Sequence, residues 1–102
     1  MIVVADTSPI NYLVLIEEID LLPALFGRVL LPQGVFIELT HSKSPTEVTQ
    51  WISTPPAWLE VRMVSTAAAP ELMQLDVGER EAIQLALESG ADALLMDETE
   101  GR

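Results

Sequence analysis

The chain begins with a continuous apolar run, Ile2-Val3-Val4-Ala5, and its last apolar run is Ala93-Leu94-Leu95-Met96. Short uninterrupted runs rich in aliphatic residues suit strands covered on both faces. Asp6-Thr7-Ser8-Pro9 breaks the first run with turn and cap residues, and Ile10, Leu13, Val14 and Ile16 then recur with helical spacing. Asp20 is positioned to cap a second short helix through Phe26, which Gly27 ends. Val29-Leu30-Leu31 predicts a second strand, closed by Pro32. Periodicity leaves Val35 to Thr40 ambiguous. The entry turn Pro32-Gln33-Gly34 and the acid at Glu38 favour a helix.

Ser44-Pro45-Thr46-Glu47 reads as a capping box ahead of a helix to about Ile52, which Thr54-Pro55-Pro56 stops. Trp51 and Trp58 flank that break and are expected to pack on it. Leu59, Val61 and Met63 alternate with Glu60 and Arg62, the pattern of a half-exposed edge strand. A brief helix is expected around Glu71 to Leu75. Asp76-Val77-Gly78-Glu79 then forms a second capping pattern before the apolar stripe Ala82, Ile83, Leu85, Ala86, Leu87, which Ser89-Gly90 closes. Asp97-Glu98-Thr99 resembles one more helix start. Strands alternating with helices predict an α/β domain with a parallel sheet and helices on both faces.

The 102 residues suffice for one domain, and 49% are apolar, which excludes disorder. Without cysteine there is neither a disulfide nor a thiolate metal site. The start of the chain does not read as a signal peptide, and no run is long enough to span a membrane, so a cytoplasmic protein without membrane contact is expected. Charge sharpens the picture: 16 acids stand against 5 bases, a net charge of −11. Such a surface repels nucleic acid unless metal ions or a basic partner intervene.

Asp6 and Asp97 each follow an apolar strand and precede a cap-like turn. If the strands are parallel neighbours, the two carboxylates converge at one sheet edge, where ligands of open α/β sheets bind. Their repulsion would be relieved by Mg²⁺ or Mn²⁺, hard ions that prefer oxygen ligands. The bland alternative makes each a helix cap. Glu38 faces either solvent or a site. Glu79 and Glu81 are equally explained as first-turn acids of a helix. Ser8 could bond a carboxylate or a phosphate, or simply cap. His41, the sole histidine, falls in a polar loop and rules out a Ser-His-Asp set; no glycine-rich phosphate loop is present.

Four blocks in order, Ile2 to Pro9, Leu31 to Leu39, Leu75 to Ile83 and Leu94 to Arg102, resemble the successive signatures of PIN-domain proteins, in particular a PIN-like group of unknown function beside VapC-type toxins. The resemblance spans essentially the whole chain. It implies a three-layer α/β/α sandwich with a parallel sheet of about four strands and acids at the strand ends holding Mg²⁺ or Mn²⁺. It further implies an RNA-cleaving activity, often that of a toxin neutralised by an antitoxin. By motif position Asp6, Glu38, Glu81 and Asp97 match the four acids, with Glu79 competing for the third place. Ser8 matches a hydroxyl residue near the first acid, Glu98 an additional acid and Arg102 a basic residue. Members usually continue with another helix and a fifth strand. A C-terminally truncated domain, stabilised as a homo-oligomer, is therefore expected, and a catalytically inactive module acting through dimerisation or partner binding is the alternative reading.

Overall fold

The computed structural model describes residues 1–41, 43–65, 67 and 69–96. Strand β1 (Ile2–Ala5) leads into helix α1 (Thr7–Leu15) and the short α2 (Leu21–Phe26). Strand β2 (Arg28–Pro32) is followed by α3 (Gln33–Thr40) and α4 (Thr46–Ser53). Strand β3 (Leu59–Arg62) and a 3₁₀ helix at Pro70–Gln74 precede α5 (Val77–Ser89) and strand β4 (Ala93–Leu95). The four strands are all parallel, in the order β3-β2-β1-β4.

The apolar runs fix this order. Val3, Val4, Ala5, Val29 and Leu31 are fully buried, so β1 and β2 need helices on both sides. On one face Val3, Ala5, Val29 and Leu31 pack with Ile10, Leu22, Val35, Leu39, Val48 and Ile52 from α1 to α4. On the other, Val4 and Leu30 pack with Ala82 and Leu85 of α5. The result is the expected α/β/α sandwich. Burial of a side chain of this kind is worth about 1.5–3 kcal/mol, so the central strands anchor the domain. β3 is an edge strand, as expected, but the alternation holds only at its start: Leu59 is buried, whereas Val61 is exposed along with Arg62, because the end of this edge strand is left uncovered.

Capping departs from expectation twice. The box at Ser44–Glu47 does not form: Pro45 is the N-cap rather than the first helical residue, and it supplies no side-chain cap. The Ser44 hydroxyl instead donates to the Glu38 carbonyl at 2.7 Å. Asp20 precedes α2 but its backbone is already helical and its side chain makes no capping bond. A turn in which Leu21 donates to the Glu18 carbonyl does that work instead. The tryptophans meet each other, ring centroids 6.1 Å apart and tilted by 43°. Among the described residues no helix is long and apolar enough to cross a membrane.

Candidate functional site

The exits of β1 and β4 lie side by side. Ala5 pairs with Leu95, and the Asp6 N–H donates to the Leu95 carbonyl at 3.0 Å. Asp6 is 3% exposed, and its Oδ1 accepts the Thr7 N–H at 2.8 Å as the cap of α1. Capping uses one of a carboxylate's several acceptor positions. A cap and a ligand are therefore compatible roles for Asp6.

Glu38 reaches the same place from α3. Its Oε2 accepts from the Thr7 hydroxyl at 2.8 Å, which ties the last half of α3 to the first residue of α1. Its Oε1 lies against Gly78 in the first turn of α5. A Cβ at Gly78 would collide with Glu38 Oε1 and would stand 3.1 Å from Glu38 Cδ and 3.3 Å from Asp6 Oδ1. Two carboxylates from different elements thus share the space over a glycine that leaves room for them. Both also lie at helix N-termini, Asp6 at α1 and the pair together at α5, where backbone N–H groups and the macrodipole favour negative charge.

Glu81 is engaged one turn along α5. Its Oε1 accepts the Gly34 N–H at 2.8 Å, and a Cβ on Gly34 would fall 2.8 Å from that oxygen. The arrangement is reciprocal: Glu38 of α3 fits over Gly78 of α5, and Glu81 of α5 fits over Gly34 of α3. It also answers a local need. Pro32, the N-cap of α3, offers no side-chain acceptor, so a carboxylate from another helix satisfies a donor in the first turn.

The remaining expected residues divide by position. Glu79, 8% exposed, sits in the first turn of α5 with its N–H donating to Asp76 Oδ1 at 2.8 Å. Ser8 is half-buried in the first turn of α1. Asp97, Glu98 and Arg102 lie outside the described residues. Among the described residues no three acidic or histidine side chains gather as a metal-holding group. The pair that does converge offers carboxylate oxygens alone, the donor chemistry that suits Mg²⁺ or Mn²⁺. Sequence reasoning missed Thr7, Gly34 and Gly78. Thr7 was legible as a hydroxyl residue directly after a strand-end acid. The glycines were not, because their role depends on which helix crosses which.

A family model described as a PIN domain matches residues 2–102. No curated protein and no solved structure matches the chain.

Proposed function

The chain belongs to the PIN-domain family, a family of nuclease-like proteins that generally use divalent metal ions, and from that premise we propose that it hydrolyses phosphodiester bonds of RNA. The observation that carries this reading is the meeting of Asp6 and Glu38 over Gly78. In the proposal Asp6 and Glu38 hold Mg²⁺ or Mn²⁺ together with Asp97, which follows Leu95 by two residues in sequence, and with Glu81 as the fourth acid. Glu79 and Glu98 are the secondary candidates.

When bound, the ion supplies Lewis acidity toward the scissile phosphate and makes water a stronger acid. The residues of the chain do the rest. Thr7 holds Glu38 in place through its hydroxyl. Ser8 orients a carboxylate or a phosphate oxygen. Asp6, held by its own cap and by the β1·β4 ladder, presents its carboxylate beside that of Glu38. Hydrolysis forms one P–O bond from water and breaks one to a ribose oxygen, which leaves with a proton. A toxin role restrained by an antitoxin-like protein is the wider form of the proposal. A basic partner of that kind would also offset the net charge of −11.

The test is cleavage of single-stranded RNA in Mn²⁺. The parent chain is expected to cleave, and Asp6→Asn to lose at least about a hundredfold in rate. Equal cleavage by the two proteins overturns the assignment.

The same net charge favours a second reading, a non-catalytic module that acts as a homo-oligomer or through a partner protein. Light scattering with Mn²⁺ calorimetry separates the two. A tight oligomer without ion uptake supports the module, and uptake at millimolar concentration or better supports the nuclease.

A further inference from the structure

A cavity of about 330 Å³ opens beside the acidic pair and shares Thr7 and Glu38 with it. That volume falls in the range of small-ligand sites. Its walls come from α1, the end of α3 and the loop that follows. Asn11 stands one turn after Thr7 on α1; Ile37 and Pro45 supply apolar surface; His41 and Lys43 complete the wall. Ile37 is 56% exposed although apolar. The loop is anchored, because the Ser44 hydroxyl bonds the Glu38 carbonyl at 2.7 Å.

Two features of this cavity stand out against the rest of the chain. The first is charge. Lys43 is the only lysine and His41 the only histidine of a chain with 5 basic residues and 16 acids, and both face one cavity. His41 Nδ1 accepts the Lys43 N–H at 3.1 Å. That bond puts the proton of the neutral imidazole on Nε2, which is then a donor. The second is Asn11. Its Oδ1 is buried and has no hydrogen-bond partner among the described residues. A buried amide oxygen left unpaired is destabilising, because its desolvation is not compensated. Asn11 lines the cavity, and rotation about its broad terminal torsion would bring the oxygen within reach of a ligand seated there.

We propose that this cavity is the subsite for the nucleotide next to the scissile phosphate of a single-stranded RNA. Lys43 takes the flanking phosphate, Ile37 and Pro45 pack against the base, and the Asn11 amide and His41 Nε2–H meet its polar edge. The assignment rests on the ribonuclease reading above. It adds where the chain, acidic overall, places an attraction for a polyanion beside Glu38. One amide and one imidazole give hydrogen-bonding selectivity, and one ammonium gives a salt-dependent contact worth a slope of about 0.7 in log K against log salt on single strands.

The test measures binding apart from cleavage. A fluorescent single-stranded oligoribonucleotide with phosphorothioate linkages, which resist hydrolysis, is titrated with the protein in Mn²⁺ at several salt concentrations. Lys43→Gln and Asn11→Ala are each expected to weaken binding about tenfold. Only Lys43→Gln lowers the salt slope, by about 0.7. Arg28→Gln removes the same charge at the start of β2, the opposite end of the sheet from the strand exits, and is expected to weaken binding less than twofold. Absence of binding by the parent chain, equal weakening by Lys43→Gln and Arg28→Gln, or no weakening by either cavity variant overturns the proposal. Cleavage of unmodified RNA is scored separately. A chain that cleaves but whose cavity variants bind normally keeps the nuclease reading and loses the subsite. A chain that binds as expected but does not cleave keeps the subsite and loses the nuclease reading.

Discussion

A methyl group added at Gly78 would enter the space that Glu38 Oε1 and Asp6 Oδ1 occupy. The nearest atom is the end of a flexible side chain, so the fold can survive while the carboxylate moves. Alanine is also the better helix former by about 1 kcal/mol. Gly78→Ala is therefore expected to keep its melting temperature within about 5 °C of the parent. Its Mn²⁺ affinity is expected to fall at least about tenfold. Joint loss of stability and binding would show Gly78 to be a packing residue only. Thr7→Val keeps the shape and removes the hydroxyl that holds Glu38 at 2.8 Å. It should lower Mn²⁺ affinity or RNA cleavage about 10–100-fold, with Thr7→Ser restoring most of it. At this scale the sequence displayed the acids, because a carboxylate at the end of a buried strand is conspicuous. It hid the glycines and the unpaired amide oxygen of Asn11, whose meaning depends on which elements the fold brings beside them.

Between elements, carboxylates do different jobs that composition alone cannot separate. Glu81 caps a helix to which it does not belong. Glu81→Ala removes the acceptor for the Gly34 N–H and should cost about 1–2 kcal/mol in urea unfolding, the loss expected of a charged cap. A change below about 0.3 kcal/mol would show that the contact does not support α3. On the edge strand, Glu60 receives Arg28 Nε at 3.0 Å and Arg62 Nη2 at 2.6 Å. The Arg28 and Arg62 guanidiniums hold its carboxyl at about 2, below its ordinary value near 4.5. A carboxylate with a depressed folded-state pKa contributes stability above its unfolded pKa and loses it as pH falls toward the folded value. Both arginines are half-exposed, so solvent screens the pairs and their contribution is small. Glu60→Gln should be slightly less stable than the parent at pH 7, with the gap closing between pH 4.5 and 2. A gap constant over that range would contradict the ion-pair account.

The element order was legible because apolar runs alternate with helical stripes bounded by Pro, Gly and Asp. The Ser44–Glu47 box was misleading. A proline can stand at the N-cap as well as at the first helical position, and only the fold decides which.

Over the whole molecule, a net charge of −11 opposes both compaction and RNA, and the site adds two carboxylates in one small space. Parallel pairing of β1 with β4 and the α3·α5 crossing hold that arrangement, and the core strands, with three β1 residues fully buried, make it rigid. The parallel order was implied by the apolar runs, whereas the helix crossing that seats Glu38 over Gly78 was not. An ion that binds only the folded chain should raise its melting temperature, by an amount that grows with ion concentration.

Calorimetric titration of Mn²⁺ into the parent, Asp6→Asn and Glu38→Gln chains tests the shared cation most directly. The parent is expected to bind at millimolar concentration or better, and each variant to bind at least about tenfold more weakly while remaining folded. Equal binding isotherms for all three would mean that Asp6 and Glu38 do not hold the ion together.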